Sequence, residues 1–163
     1  MRYLSLFLGF LLLSVVLASP SKARDNYQLP EFTQTSPQEW LNSKPLTRKD
    51  LLGKVTLVDF WTFDCWNCYR SFPWLHSIEK KYKDQGFQIV GIHSPEFDHE
   101  KIHANIKAKI KQFKITNAVM VDNDMGFWRK MKNRYWPAYY LVDKKGQVRA
   151  KIISARPIRT LLK

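Results

Sequence analysis

Hydrophobic and polar positions along this chain change their spacing several times, and each change marks an element. Val55-Thr56-Leu57-Val58-Asp59-Phe60-Trp61 is a mostly apolar, β-branched and aromatic run of strand length, the pattern of a strand buried on both faces. The spacing then lengthens. Cys68, Phe72, Leu75, Ile78 and Tyr82 recur three or four residues apart, which predicts a helix from Cys65 or Trp66 to Lys83, kinked at Pro73 and stopped by Gly86. Phe87–His93 reads as a second strand. Glu100–Phe113 reads as a helix with Ile102, Ile106, Ile110 and Phe113 on one side. Val119–Val121 is a short strand, Met125–Asn133 a helix, and Ala138–Val142 with Gln147–Ile153 a hairpin around Lys144-Lys145-Gly146; Arg156–Lys163 forms a last helix. Upstream, residues 19–35 have no apolar period and read as an irregular lead-in. Ser36-Pro37-Gln38-Glu39 has the residues of a helix start and predicts a short helix through Trp40 and Leu41, and Gly53 ends the stretch around Leu51 and Leu52. The order βαβα followed by a hairpin predicts an α/β domain over residues 36–163.

The first 18 residues stand apart. Arg2 precedes an uncharged run to Ser21 whose apolar centre, Leu4–Leu17, spans 14 residues and ends at Val16-Leu17-Ala18, small enough for a cleavage site. At 1.5 Å per residue such a helix covers about 21 Å, short of a hydrocarbon core of about 30 Å. The segment reads as a signal peptide, with an uncleaved N-terminal anchor as the alternative, and so predicts export, with the periplasm as destination. Without Arg2 the chain keeps 26 basic against 14 acidic residues, a net charge of +12. Such a field attracts anions. An exported protein rarely meets nucleic acid, so acidic partner proteins, weak contact with an anionic membrane surface, or plain solubility are the readings of this charge.

Both cysteines of the chain lie in Cys65-Trp66-Asn67-Cys68. With 45% hydrophobic residues the domain has the means to build a core without staples. A four-residue disulfide ring contributes only about 2 kcal/mol against about 3 for a 15-residue ring, so the pair is better read as a dithiol that opens and closes in use. The alternatives are an inert bridge, or half of a metal site, for which two thiolates are two ligands short. Cys65, after a strand and at a helix N-terminus, meets unpaired N–H groups and the positive dipole end and is the candidate nucleophile. Cys68, one turn deeper, is the candidate resolving thiol. Asp59 reads either as a buried proton carrier for Cys68 or as an outward-facing strand residue. Pro137 must open the strand Ala138–Val142 or sit at its edge, and a cis bond there would leave backbone free. Trp66 and Asn67 between the cysteines, with Trp136, are the substrate-facing candidates; Trp66, Phe63 and Trp136 form either an apolar rim or part of the core.

Two rival chemistries are also present. Thr62-x-x-Cys65 matches half of the peroxiredoxin pattern, which predicts a thiol peroxidase, although Val58 stands where that pattern has Pro. His99 and His103, four apart with His93 in reach, have a chelating spacing and suggest a metal-binding envelope protein; the competing reading is a solvated helix face, because Glu100, Lys101, Lys107, Lys109 and Lys111 surround them.

Val58-Asp59-Phe60-Trp61, Cys65-x-x-Cys68, Pro73 in the following helix, and Pro137 before a strand and a Gly-containing hairpin together resemble the thioredoxin superfamily over roughly residues 40–155. The Gly53-Lys54-Val55 entry, the inserted helix near residues 98–113 and the signal segment are similar to exported TlpA-type thiol-disulfide oxidoreductases. Phe60–Cys68 is closer still to the thioredoxin-like domain of DipZ-type proteins. The resemblance implies a central mixed β-sheet flanked by helices. It also implies Cys65 as attacking thiol, Cys68 as resolving thiol, Asp59 in place of the buried thioredoxin Asp, and Pro137 as the cis-proline facing the dithiol. It further implies protein thiols and disulfides of the cell envelope as partners, a membrane redox protein among them, and no cofactor beyond the dithiol. Three departures stand out: Asp64 where Trp is usual, with a charge that disfavours the Cys65 thiolate; Trp66-Asn67 as the intervening dipeptide; and Ser71 where TlpA-type proteins often carry Glu.

Overall fold

The computed structural model describes residues 27–153, so the signal segment and the expected helix Arg156–Lys163 lie outside the described residues. Strands β1 (Tyr27–Gln28), β2 (Trp40–Leu41), β3 (Val55–Trp61), β4 (Phe87–His93), β5 (Ala118–Val121), β6 (Ala138–Val142) and β7 (Gln147–Ile153) form one sheet in the order β1-β7-β6-β3-β4-β5-β2. β3, β4 and β5 run parallel, joined by α1 (Trp66–Tyr82) and α2 (His103–Gln112). β6 returns antiparallel to β3 after α3 (Gly126–Lys130), and β7, β1 and β2 complete the mixed sheet.

The continuous apolar character of β3 has the expected cause. Leu57 and Trp61 pack on one face with Cys68, Phe72, Leu75 and Ile78 of α1 and Ile106 and Ile110 of α2. Val58 and Phe60 pack on the other with Phe127, Met131 and Trp40. A central strand covered on both sides has no polar face to alternate with. α1 follows the predicted span and passes through Pro73, which lies on its exposed face; a 3₁₀ turn and Gly86, at φ +79°, then end it.

Four local expectations change. Pro37–Glu39 forms a single 3₁₀ turn that the Ser36 side chain does not cap, and Trp40 and Leu41 form a strand paired with Met120 and Val119 instead of continuing a helix. A three-residue turn satisfies few backbone groups, whereas the open edge of β5 offers a ladder and a core place for the Trp40 ring. Residues 27–35, read as lead-in, supply β1 and the buried Leu29 and Phe32. The inserted helix begins at His103; Asp98–Lys101 is a separate 3₁₀ turn, and Ile102, at the joint, is 52% exposed and off the buried stripe. α3 is shorter than expected because Met125 before it and Lys132 after it take left-handed backbone angles, φ +56° and +48°.

Candidate active site

β3 and β4 run to the same pole of the sheet, where Trp61 pairs with His93, and β6 starts there with Ala138 opposite Phe60. Three segments therefore converge: the turn 62–65 into α1, the segment after His93, and Trp136-Pro137, whose peptide bond is cis. Cys65 is the N-cap of α1 and is joined to Cys68 in a disulfide with Cα atoms 5.2 Å apart. The Cys68 backbone N–H donates to Cys65 Sγ at 3.1 Å. Cys65 is half-buried and Cys68 only 1% exposed, so an incoming group meets the first sulfur and not the second. The Cys68 N–H directed at Cys65 Sγ and the positive end of the helix favour its charged form once the bridge opens.

Asp59 lies on the same face of β3 as Leu57 and Trp61, beneath α1, with Tyr139 beside it in β6 and Gly91 in β4. It is buried rather than outward-facing, and its Oδ1 has no hydrogen-bond partner. Desolvation pushes its carboxyl up to about 8, so the acid is neutral at pH 7. Tyr139, buried next to it, has its hydroxyl pushed up as well, by burial first and by Asp59 second.

Nothing in the residue order singles out Glu100, yet it is central to the site. It sits fully buried among the donors of the turn before α1, not on a solvated face. Its Oε1 accepts from Thr62 Oγ1 and from the Asp64 N–H at 3.0 Å; its Oε2 accepts from the Glu96 and Phe97 N–H groups at 2.6 and 2.8 Å. Burial pushes the carboxyl up, but these four donors outweigh it and hold it below its usual range. The 3₁₀ turn 98–101 is thereby clamped to the approach of Cys65. Glu100→Ala leaves four donors unpaired and is expected to lower unfolding stability by about 3 kcal/mol or more, and Glu100→Gln, which keeps one acceptor oxygen, by less. Urea midpoints check this; an alanine variant as stable as the parent refutes the clamp.

Other predicted residues are distributed unevenly. Trp66 is 69% exposed and Asn67 exposed, while Trp136 is half-buried, donates its indole N–H to the Ser94 carbonyl at 3.0 Å and lies 4.3 Å from the Trp128 ring. Phe63 belongs to the core and stacks on the buried His93, whose imidazole burial drives down to about 4. The Thr62 hydroxyl is buried and committed to Glu100, which leaves it no part in orienting a peroxide. The histidines do not converge. His99 pairs with Asp64 at 2.5 Å and His103 with Glu39 at 3.2 Å, and among the described residues no three His, Cys, Asp or Glu side chains gather as a metal site.

A mixed sheet with helices on both faces, a Cys-x-x-Cys disulfide at the tip of the helix after its central strand, and a cis-proline entering the neighbouring strand define a thioredoxin-fold dithiol protein. The chain belongs to the AhpC/TSA family, whose family model matches residues 26–151. It is 41% identical over 113 residues to Protein DipZ of Mycobacterium bovis, covering 68% of this chain and 16% of that protein. It is 35% identical over 122 residues to Thiol-disulfide oxidoreductase YkuV of Bacillus subtilis, covering 74% of this chain and 80% of that protein. A solved thioredoxin-like protein in the oxidised form superposes with a TM-score of 0.72 at 31% identity, covering 86% of this chain and 92% of that one. The chain spans only 12% to 18% of the length of several curated relatives that it matches.

Proposed function

We propose that this protein is an exported thiol-disulfide oxidoreductase that exchanges disulfides with partner proteins through Cys65 and Cys68. The observation that carries the reading is the asymmetry of the pair: a half-buried sulfur at a helix tip and a buried one a turn deeper. In the reducing direction the Cys65 thiolate attacks a partner disulfide, forming a mixed disulfide and releasing the partner's other sulfur as thiolate. Cys68 then loses its proton, attacks Cys65 Sγ, closes the Cys65–Cys68 bridge and releases the second partner thiolate, so two electrons pass to the partner. Asp59 holds its own proton at neutral pH; in its ionised form it takes the proton of Cys68, and in its protonated form it returns one in the oxidising direction. Pro137, at the level where β3 ends, presents backbone to an extended partner strand, and Trp66, Asn67 and Trp136 contact it. The dithiol is the whole redox equipment, with no further cofactor.

The partners in this reading are thiols and disulfides of envelope proteins, including a membrane redox protein, in the periplasm. No nucleic acid is involved, and the basic charge makes at most weak contact with an anionic membrane surface. No helix among the described residues is long and apolar enough to cross a membrane. Expressing Cys68→Ala in the native envelope is expected to accumulate partner proteins disulfide-linked to Cys65, visible as reducible gel shifts. Absence of any such adduct under conditions where Cys65 is alkylatable overturns the reading.

A further inference from the structure

Asp64 puts a carboxylate on the residue next to the reacting sulfur, where negative charge opposes both the thiolate and the helix dipole. Its surroundings supply an answer. His99 Nε2 lies 2.5 Å from Asp64 Oδ2, across 35 residues of sequence. The imidazole lies between two rings, Phe97 stacking on it at 5.8 Å and Phe63 meeting it edge-on at 5.8 Å, and the His99 backbone carbonyl accepts from Asn105 Nδ2 at 3.0 Å. Asp64 is held in turn, its N–H bonded to Glu100, the residue that follows His99. Both partners are thus tied to one carboxylate clamp, and the pair is a built contact although its side chains are 53% and 40% exposed.

Resting on the reading of Cys65 as the attacking thiol, we propose that His99 is a positioning residue for the dithiol: it engages the Asp64 carboxylate, draws its negative charge off the neighbouring sulfur, and so sets how readily Cys65 becomes a thiolate. The step it serves is the departure of the Cys65 proton to water, leaving the charge on sulfur for attack on the partner disulfide. The hydrogen bond between His99 Nε2 and Asp64 Oδ2 gives the carboxylate charge a partner other than the sulfur.

The other charged groups around the pair have their own partners or lie apart from it. Asp98 is paired with Lys101 at 2.7 Å, Glu100 points inward onto its four donors, and Lys109 lies over the Phe63 ring at 5.7 Å. Glu96 is exposed and His103 is turned to Glu39. The Tyr69 hydroxyl, on α1, is pushed up by burial first and then by Asp64 and Glu100, which places it within the field of the same carboxylate. His93 is sealed behind Phe63. Among these groups only His99 bonds directly to the Asp64 carboxylate.

The test is the pH profile of iodoacetamide alkylation of Cys65 in the reduced Cys68→Ala protein, where a single thiol reports. His99→Ala is expected to slow alkylation about tenfold at pH 6, which is a shift of about one pH unit in the profile. Asp64→Asn is expected to speed alkylation, and His99→Ala placed on Asp64→Asn to have no further effect. His99→Gln, which can still donate to Oδ2, is expected to fall between parent and alanine. An unchanged profile in His99→Ala overturns the proposal, and so does an equal slowing with Asn at 64, since His99 would then act by another route. Alkylation needs no partner protein. A dependence on His99 together with failure to capture any partner would therefore refute the exchange reading and leave this one standing.

Discussion

Cys65→Ser is expected to bring disulfide exchange down to the uncatalysed background, while Cys68→Ser keeps the first half of the reaction and loses turnover. Serine cannot form a bond to a partner sulfur, and the remaining thiol, Cys68, is 1% exposed beneath the first turn of α1 and out of reach of a protein disulfide. In Cys68→Ser the half-buried sulfur still attacks, but nothing attacks it in turn, so one equivalent of mixed disulfide forms and stops. Reduction of a protein disulfide such as that of insulin, followed with dithiothreitol as the source of electrons, separates the two variants. A Cys65→Ser protein that retains more than about a tenth of the parent rate would assign the attack to Cys68 and invert the roles of the two sulfurs.

The second large effect is on stability. In the unfolded chain Asp59 titrates near 3.8, and in the folded protein near 8, because burial without a partner penalises the charge. Between those values the unfolded state has released a proton that the folded state keeps. The raised folded value means that stability is complete below about pH 4 and declines as pH rises through 8, after which the loss is constant. A gap of about four pH units corresponds to about 5 kcal/mol at alkaline pH. Asp59→Asn has no proton to release. The variant is therefore expected to be several kcal/mol more stable than the parent at pH 9, with the difference shrinking steadily toward pH 4. Urea midpoints at the two pH values check it, and a difference that does not change with pH would mean that Asp59 does not ionise from a buried, neutral state. On the proposed role of ionised Asp59 as acceptor of the Cys68 proton, the same variant is expected to slow closure of the Cys65–Cys68 bridge.

The Glu100 clamp and the Asp64–His99 pair link the two sides of the site, and they explain why the segment between β4 and α2 belongs to it. Glu100 ties the turn before Cys65 to the 3₁₀ turn 98–101 through four donors, and His99 reaches back from that turn to the residue beside the sulfur. By residue order, Glu100 and His99 have the look of a charged helix face, because lysines surround them. In the structure that stretch is a short turn folded against the pole of the sheet, with one carboxylate facing inward and one imidazole bonded to Asp64.

Much of the architecture was legible from residue order alone. β3, α1, β4 and the β6–β7 hairpin follow from spacing, since a strand covered on both faces must be continuously apolar and a helix must repeat its apolar side every three or four residues. The placement of two cysteines one turn apart at a helix start is likewise local, and so is their difference in depth. Tertiary structure alone decided the strand at Trp40–Leu41 and the engagement of Glu100 and His99, and it chose the buried one of the two readings of Asp59. Each of these depends on a partner far along the chain: Thr62 and Glu100 are 38 residues apart, Asp64 and His99 are 35. Periodicity reports which side of an element faces apolar surroundings. It carries no information about which polar group waits there, because that is set by how separate elements meet in space.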